Sequence, residues 1–239
     1  MDSEISVEET HVGPVVHPVR DDGIVILYVH GELDGPWRAL ATARQLASLT
    51  NATVVCPRYR PGFPGSLIDA HSAYSYARAA GPVVVIGEGL GAALATTMMV
   101  QLRDSEATSP SGAVLLSPLL DLSLDAKSVQ FNASTDPEFD LGALRRRITD
   151  YARGTSLTDA RLSPLYANLH GLPPVQLLTT GTDPLLDDAL AFATRAARSR
   201  VTVDLHVWPE TENFQIAVIE AMARFVLATI SIPRAGAPA

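Results

Sequence analysis

The residues most informative about possible catalytic chemistry lie at positions 83–95, which read V-V-V-I-G-E-G-L-G-A-A-L-A. An apolar, β-branched run meets closely spaced glycines and continues into an alanine-rich stretch, which predicts a strand, a tight turn and a helix. A sharp strand-to-helix turn can expose its central side chain for nucleophilic attack. Here the central residue is Gly89. We therefore expect a tight turn with a positive φ angle at Gly89, but no side-chain atom there that could attack a substrate.

Carboxylates are the other candidates for chemistry, and five of them could gather around one cleft: Glu32, Asp34, Glu88, Asp183 and Glu212. Carboxylates crowded into a partly dry pocket raise one another's pKa and become candidate general acids or bases. Glu32 and Glu88 are the candidate bases, with His30 or Asp183 assisting. The alternative is that Glu88 and Glu212 face solvent or bond to the backbone. No His, Asp or Glu spacing specifies a metal site, so we predict neither metal nor cofactor.

Composition limits the classes of partner. The 239-residue chain carries a net charge of −8. This charge disfavours binding to nucleic acids and to anionic membranes, because both attract a basic protein surface. The N-terminus lacks a signal-peptide pattern, and no apolar run approaches ~20 residues. We expect a soluble, cytoplasmic protein whose partner is a small molecule. The oligomeric state is open, and a homodimer is compatible with the sequence. Cys56, the single cysteine, is predicted to be a buried structural thiol.

Apolar strand-like runs alternate with helix-like runs along the chain, which predicts an α/β fold with a mostly parallel sheet and helices on both faces. Six strands are clear, and residues 12–19 could add a seventh, antiparallel edge strand. The predicted strands span residues 24–30, 52–56, 82–86, 112–117, 175–180 and 203–208. The predicted helices span residues 36–48, 67–80, 91–103, 141–151, 185–199 and 214–231.

Residues 118–172 interrupt this alternation within a single predicted domain of residues 1–239. In an open α/β sheet the binding crevice lies beyond the carboxyl ends of the strands. The segment of residues 118–172 is therefore predicted to form a lid over that crevice. We expect a mainly apolar pocket there, roofed by part of residues 118–174.

Four blocks of sequence carry a family resemblance. They read I-L-Y-V-H-G at 26–31, G-E-G-L-G-A at 87–92, L-L-S-P-L-L-D-L-S at 115–123, and S-P-L-Y-A-N-L-H-G-L-P-P, G-T-D-P-L-L-D-D and V-W-P-E between 163 and 210. Together, in this order, they resemble the hormone-sensitive-lipase-like carboxylesterases, a branch of the α/β-hydrolase fold. The resemblance implies that fold, with six to seven strands.

The resemblance also implies positions for the catalytic groups. The nucleophile position is Gly89, the acid position is Asp183, and the base position falls on Asn213 or Glu212. The oxyanion-hole segment of the family corresponds to Gly31, Glu32 and Leu33, and the matching His30 orders that loop in the family by hydrogen bonding.

These substitutions have chemical consequences. Without a hydroxyl at Gly89, no acyl-enzyme can form there, and without an imidazole nothing near neutral pKa accepts the proton. A carboxylate at Glu32 would repel the oxyanion that glycine N–H groups stabilise. The protein is not expected to be an ordinary serine hydrolase.

Three interpretations follow. The first is a pseudo-esterase that binds a small, largely apolar ligand in the former esterase cleft. The second is a repurposed lyase, isomerase or cyclase that uses the carboxylates of the cleft for acid/base chemistry. The third is residual ester hydrolysis by an unusual route.

Overall fold

A computed structural model describes residues 5–31, 36–37, 39–134, 139–209 and 214–231 of the chain. The strands are β1 (Ser6–Thr10), β2 (Gly13–His17), β3 (Val25–Val29), β4 (Thr53–Val55), β5 (Val83–Glu88), β6 (Gly112–Leu116), β7 (Val175–Thr180) and β8 (Val203–Trp208). The helices are α1 (Ala39–Thr50), α2 (Gly65–Ala80), α3 (Leu90–Asp104), α4 (Lys127–Asn132), α5 (Leu141–Ala152), α6 (Leu186–Arg198) and α7 (Phe214–Ser231), with a short 3-10 turn at Pro164–Tyr166.

The strands form one sheet in the order β1-β2-β4-β3-β5-β6-β7-β8. Neighbouring strands from β4 to β8 are parallel, whereas β2 pairs antiparallel with both β1 and β4. The predicted fold class is confirmed, and so is an antiparallel strand within residues 12–19. Its predicted position at the edge of the sheet was wrong, because β1 pairs with its outer side. The predicted number of strands was too low, since eight lie in the part of the chain that is described. The missing one, β1, reads S-V-E-E-T and is mostly exposed, so it lacks the apolar pattern by which strands are found.

The central strands are apolar on both sides because helices cover both faces of the sheet. In β5, Val83 and Val85 pack with buried residues of α2 and α3. The alternating residues Val84 and Ile86 pack with buried residues of α1 and α7 on the other face. This two-sided burial explains why the strand reads as a continuous apolar run rather than an alternation.

The structure also bears on the predicted state of Cys56 and on membrane-spanning segments. Cys56 is a free, buried thiol, as predicted, and burial raises its pKa to about 12. Among the helices that are described, none is long and apolar enough to cross a membrane.

Asp188 anchors the segment that leaves β6. Its side chain is buried, and one carboxylate oxygen accepts hydrogen bonds from the N–H groups of Leu120 at 2.7 Å and Asp121 at 2.8 Å. Burial raises the pKa of this carboxyl to about 6, although the two backbone bonds act to lower it. The first turn of α6 is thereby tied to the start of the predicted lid.

The raised pKa of Asp188 predicts a specific pH dependence of stability. Because the native state favours the protonated form, the stability contributed by this group is full below pH ~4 and is lost as pH rises through about 6. We expect Asp188→Asn, which keeps an acceptor oxygen for both N–H groups, to raise the free energy of unfolding at pH 7.5 by about 1–3 kcal/mol. Urea unfolding should show this gain disappearing near pH 4. The exposed Asp150→Asn is the matched charge-removal control, and an equal gain in that variant would contradict the assignment.

Candidate functional site

Gly89 lies at the turn between β5 and α3, with φ 52° and ψ −121°. Its N–H donates to the Leu116 carbonyl at 3.1 Å, and its own carbonyl accepts from the N–H groups of Ala92 and Leu119, each at 3.1 Å. The predicted strand-to-helix turn with a positive φ is confirmed. Glycine adopts this backbone conformation readily, whereas a residue with a side chain would be strained there.

The glycines around the turn differ in the room they leave for a side chain. A Cβ atom on Gly91 would lie 2.1 Å from the Val29 carbonyl oxygen, and one on Gly31 would lie 2.7 Å from the Glu88 carbonyl oxygen. Among the described residues, a Cβ on Gly89 would meet only the Gly31 Cα, at 3.9 Å. The fold therefore requires glycine at 31 and 91 to bring backbones together, but it leaves open space for a side chain at 89.

A cavity of about 160 Å³ adjoins this turn, at the carboxyl ends of the parallel strands. It is lined by Gly31, Gly89, Leu90, Leu119, Phe139, Leu144, Arg147, Ile148 and Leu185. Five of these nine residues come from the segment 118–172, which therefore covers the crevice from one side. Among the described lining residues, all except Arg147 are glycine or carry an apolar side chain, which suits an apolar ligand.

A second cavity, of about 300 Å³, lies between the ends of β5 and β6 and the helices α1 and α7. It is lined by Tyr28, Thr42, Glu88, Leu116, Ser117, Phe214, Gln215, Val218, Ile219 and Met222. We call this the Glu88 cavity, and the first the Gly89 cavity. The two share no lining residue, although Glu88 and Gly89 are adjacent in the chain.

Glu88 is held by Tyr28, whose hydroxyl donates to the Glu88 Oε2 at 2.7 Å. Burial raises the pKa of the Tyr28 phenol well above its ordinary value, and the negative charge of Glu88 raises it further. Tyr28 therefore remains a protonated hydrogen-bond donor at neutral pH. The sequence analysis missed this residue. Tyr28 pairs in register with Ile86, so Glu88 lies two residues farther along β5 on the same face, within diagonal reach.

His30 is buried and directly follows β3 in the chain. Its Nε2 lies 3.0 Å from the Pro57 carbonyl oxygen, its Nδ1 lies 3.1 Å from the Tyr59 hydroxyl, and its ring stacks on the Tyr59 ring at 4.6 Å. The Tyr59 hydroxyl also donates to the His30 carbonyl. These contacts fit the structural, loop-ordering role that the resemblance implies.

Asp183 lies in the turn between β7 and α6. Its Oδ2 accepts from the Thr179 hydroxyl at 3.0 Å, and its Oδ1 accepts from the Leu185 N–H at 2.7 Å. Glu88, His30 and Asp183 thus each bond to other groups rather than to one another. The acid/base roles proposed for these three residues stay predictions.

The remaining candidates lie outside the described residues: Glu32, Leu33, Asp34, Glu212 and Asn213. The gathering of five carboxylates around one cleft is therefore an untested prediction. Among the residues with described positions, no group of three or more His, Cys, Asp or Glu side chains could hold a metal ion.

Comparison with known proteins assigns the class. Residues 27–214 match a family described as having the alpha/beta hydrolase fold, and the chain belongs to this family. Two solved structures share the fold over 97% of this chain and 86% of theirs. One is a hormone-sensitive lipase from a metagenome library (26% identical, TM-score 0.89), and the other is an esterase from the bacterial hormone-sensitive lipase family (28% identical, TM-score 0.86).

Three sequence relatives carry the names of hydrolases or esterases. An acetyl-hydrolase of Streptomyces hygroscopicus is 31% identical over 206 residues, covering 82% of this chain and 69% of its own length. An esterase of Acinetobacter venetianus is 33% identical over 136 residues, covering 56% of this chain and 45% of its own. The carboxylesterase/phospholipase LipF of Mycobacterium tuberculosis is 30% identical over 223 residues, covering 85% and 59%. The chain thus spans between about half and two thirds of these relatives.

Proposed function

We propose that this protein binds a small, largely apolar molecule in the Gly89 cavity and does not hydrolyse esters through a covalent intermediate. The observation that carries the proposal is the backbone conformation of Gly89. The turn that presents a nucleophile in G-x-S-x-G hydrolases is kept, but its central residue has no side chain. An acyl-enzyme requires an attacking atom at that position.

The histidines of the chain support the same proposal. No histidine follows His206 in the sequence, so the expected base position beyond β8 carries Asn213 or Glu212 instead. His206 itself bonds to Asp204 at 2.9 Å and stacks on Trp208. No histidine is among the residues that line either cavity in the described part of the chain. The described lining of each cavity therefore contains no imidazole that could accept a proton.

The size and lining of the Gly89 cavity indicate the ligand class. Its volume of about 160 Å³ is close to that of an apolar protein cavity that holds benzene, roughly 150 Å³. Leucine, isoleucine and phenylalanine side chains form most of the wall, so burial of an apolar group supplies the affinity. A ring or short branched chain of that size is the expected occupant.

Filling the Gly89 cavity should abolish binding. Toluene, observed by saturation-transfer NMR, is the probe for the unmodified protein. We expect Leu144→Trp to weaken toluene binding at least tenfold, because Leu144 lines the cavity and an indole would occupy its space. Native mass spectrometry of both proteins would show whether a co-purified small molecule is lost in parallel.

The matched control is Leu190→Trp, which places the same indole on an exposed position of α6 outside the cavity. Binding in this variant should equal that of the unmodified protein. Absence of saturation transfer to toluene in the unmodified protein would contradict the proposal, as would equal binding by Leu144→Trp in its folded form.

A repurposed lyase, isomerase or cyclase is the alternative, with Glu32 or Glu88 as base. The described contacts do not favour it, because Glu88, His30 and Asp183 have separate partners, and of these three only Glu88 lines either the Gly89 cavity or the Glu88 cavity as described. The net charge of −8 supports a small-molecule partner over nucleic acid under either alternative.

A further inference from the structure

The carboxylate of Glu88 has no counter-ion among the described residues. It is partly buried at the end of β5, forms no ion pair there, and lines the Glu88 cavity. None of the ten residues lining that cavity is Lys, Arg or His. A carboxylate withdrawn from water without a cation is unfavourable unless other groups compensate. Within the described part of the chain, the Glu88 carboxylate thus lines the cavity without a neutralising cation.

Tyr28 compensates only one of the two carboxylate oxygens. Its hydroxyl donates to Oε2 at 2.7 Å, and no hydrogen bond to Oε1 occurs among the described residues. Because Tyr28 is buried and stays protonated, it fixes the position of the carboxylate. An ionised carboxylate accepts on both oxygens, so Oε1 has unused capacity toward a ligand donor.

Other groups of the Glu88 cavity suit the same kind of ligand. Ser117 lies on its wall with φ 40°, an uncommon conformation for a residue other than glycine, and its N–H donates to the Leu178 carbonyl at 2.8 Å. Such strained residues cluster at functional sites. The Gln215 side chain supplies a further acceptor, and Phe214 and Val218 supply an apolar wall.

We propose that the Glu88 cavity binds a primary ammonium group carried on a short apolar chain. An ammonium has three N–H donors and no acceptor, which matches a lining that includes three residues with acceptor oxygens in their side chains: Glu88, Ser117 and Gln215. The Phe214 ring adds a favourable surface for a cation, and the aliphatic side chains of α7 contact the alkyl chain. This site is separate from the Gly89 cavity and does not depend on it.

The test uses n-butylammonium as the probe, titrated calorimetrically into the unmodified 239-residue chain at pH 7.5. Butan-1-ol has the same chain without the charge, and we expect it to bind at least tenfold more weakly. Glu88→Gln should reduce the affinity for n-butylammonium at least tenfold, because it removes the charge and keeps the shape. Glu106→Gln removes an equal charge from an exposed position away from the cavity and should leave the affinity unchanged.

Two comparisons make the proposal falsifiable even if Glu88→Gln fails to fold. Equal affinity of the unmodified protein for n-butylammonium and butan-1-ol would overturn it without any substitution. Val218→Trp should block the cavity while keeping Glu88, and undiminished binding by that variant would overturn it too. Leu144→Trp fills the other cavity and should not alter n-butylammonium binding, so failure here and failure of the proposed function remain distinguishable.

Discussion

Replacing Gly91 by alanine should lower the free energy of unfolding by about 3 kcal/mol or more, or prevent folding. The added Cβ would lie 2.1 Å from the Val29 carbonyl oxygen and 2.6 Å from the His30 carbonyl oxygen. Both contacts are to backbone at the end of β3, so relief requires α3 to move away from the sheet. Inserting extra atoms into a packed core typically costs about 1–3 kcal/mol of stability. Because the neighbours of the new Cβ are backbone atoms that cannot move aside, we expect the cost of Gly91→Ala to reach or exceed the top of that range. Chemical unfolding followed by circular dichroism measures the loss.

Two glycines serve as controls for this prediction. Gly154 has φ 81° and nothing within 4 Å of an added Cβ, so Gly154→Ala reports the cost of a positive φ alone. Gly89→Ala should resemble it, at about 1–3 kcal/mol, since its Cβ would meet only the Gly31 Cα at 3.9 Å. A loss at Gly91 no greater than that at Gly154 would show that α3 and β3 are not packed as described.

The unmodified protein should not turn over p-nitrophenyl acetate and should not be labelled by a fluorophosphonate. Loss of the serine in a serine hydrolase lowers kcat by about 10⁶-fold, because the covalent route disappears. We expect turnover at least about 10⁴-fold below that of a serine esterase assayed in parallel. Turnover above ~1 s⁻¹ that is lost on mutating a residue of either cavity would contradict this result.

Restoring the serine alone should not restore hydrolysis. The open space at position 89 would accept the side chain of Gly89→Ser, so the variant is expected to fold, with a modest loss of stability. The hydroxyl would still lack a histidine base, because none of the six histidines in the chain lies on a cavity wall that is described. Burst-phase release of p-nitrophenolate by Gly89→Ser would show that a base is present after all.

Much of the fold follows from local pattern. Strands β7 and β8 have the predicted bounds of residues 175–180 and 203–208, since both are short runs flanked by clear turn residues. Helix α7 also has its predicted bounds of residues 214–231, and the remaining predicted elements differ from the observed ones by a few residues at their ends, where the pattern is weakest. Besides β1, the helix α4 was not predicted, because six residues are too few to establish a helical period.

The site was only partly predictable. Gly89 could be placed at a turn because the glycine spacing and the flanking strand and helix are local features. The Tyr28–Glu88 hydrogen bond joins residues 60 positions apart, and only the register of β3 and β5 brings them together. Likewise, α5 was predicted as a helix, but its pattern does not say that Leu144 and Arg147 border the crevice rather than solvent.

Glycine at position 89 also bears on how this protein could evolve. A serine at this φ and ψ carries backbone strain of about 1–3 kcal/mol, which selection tolerates only while the hydroxyl performs chemistry. Once that chemistry is dispensable, glycine gives the same turn without the strain, and stability alone favours keeping it. A mutation of Gly89 to serine would bring the cost at once, and a benefit only together with a base. At this turn, backbone strain therefore makes a change from serine to glycine easier than the reverse change.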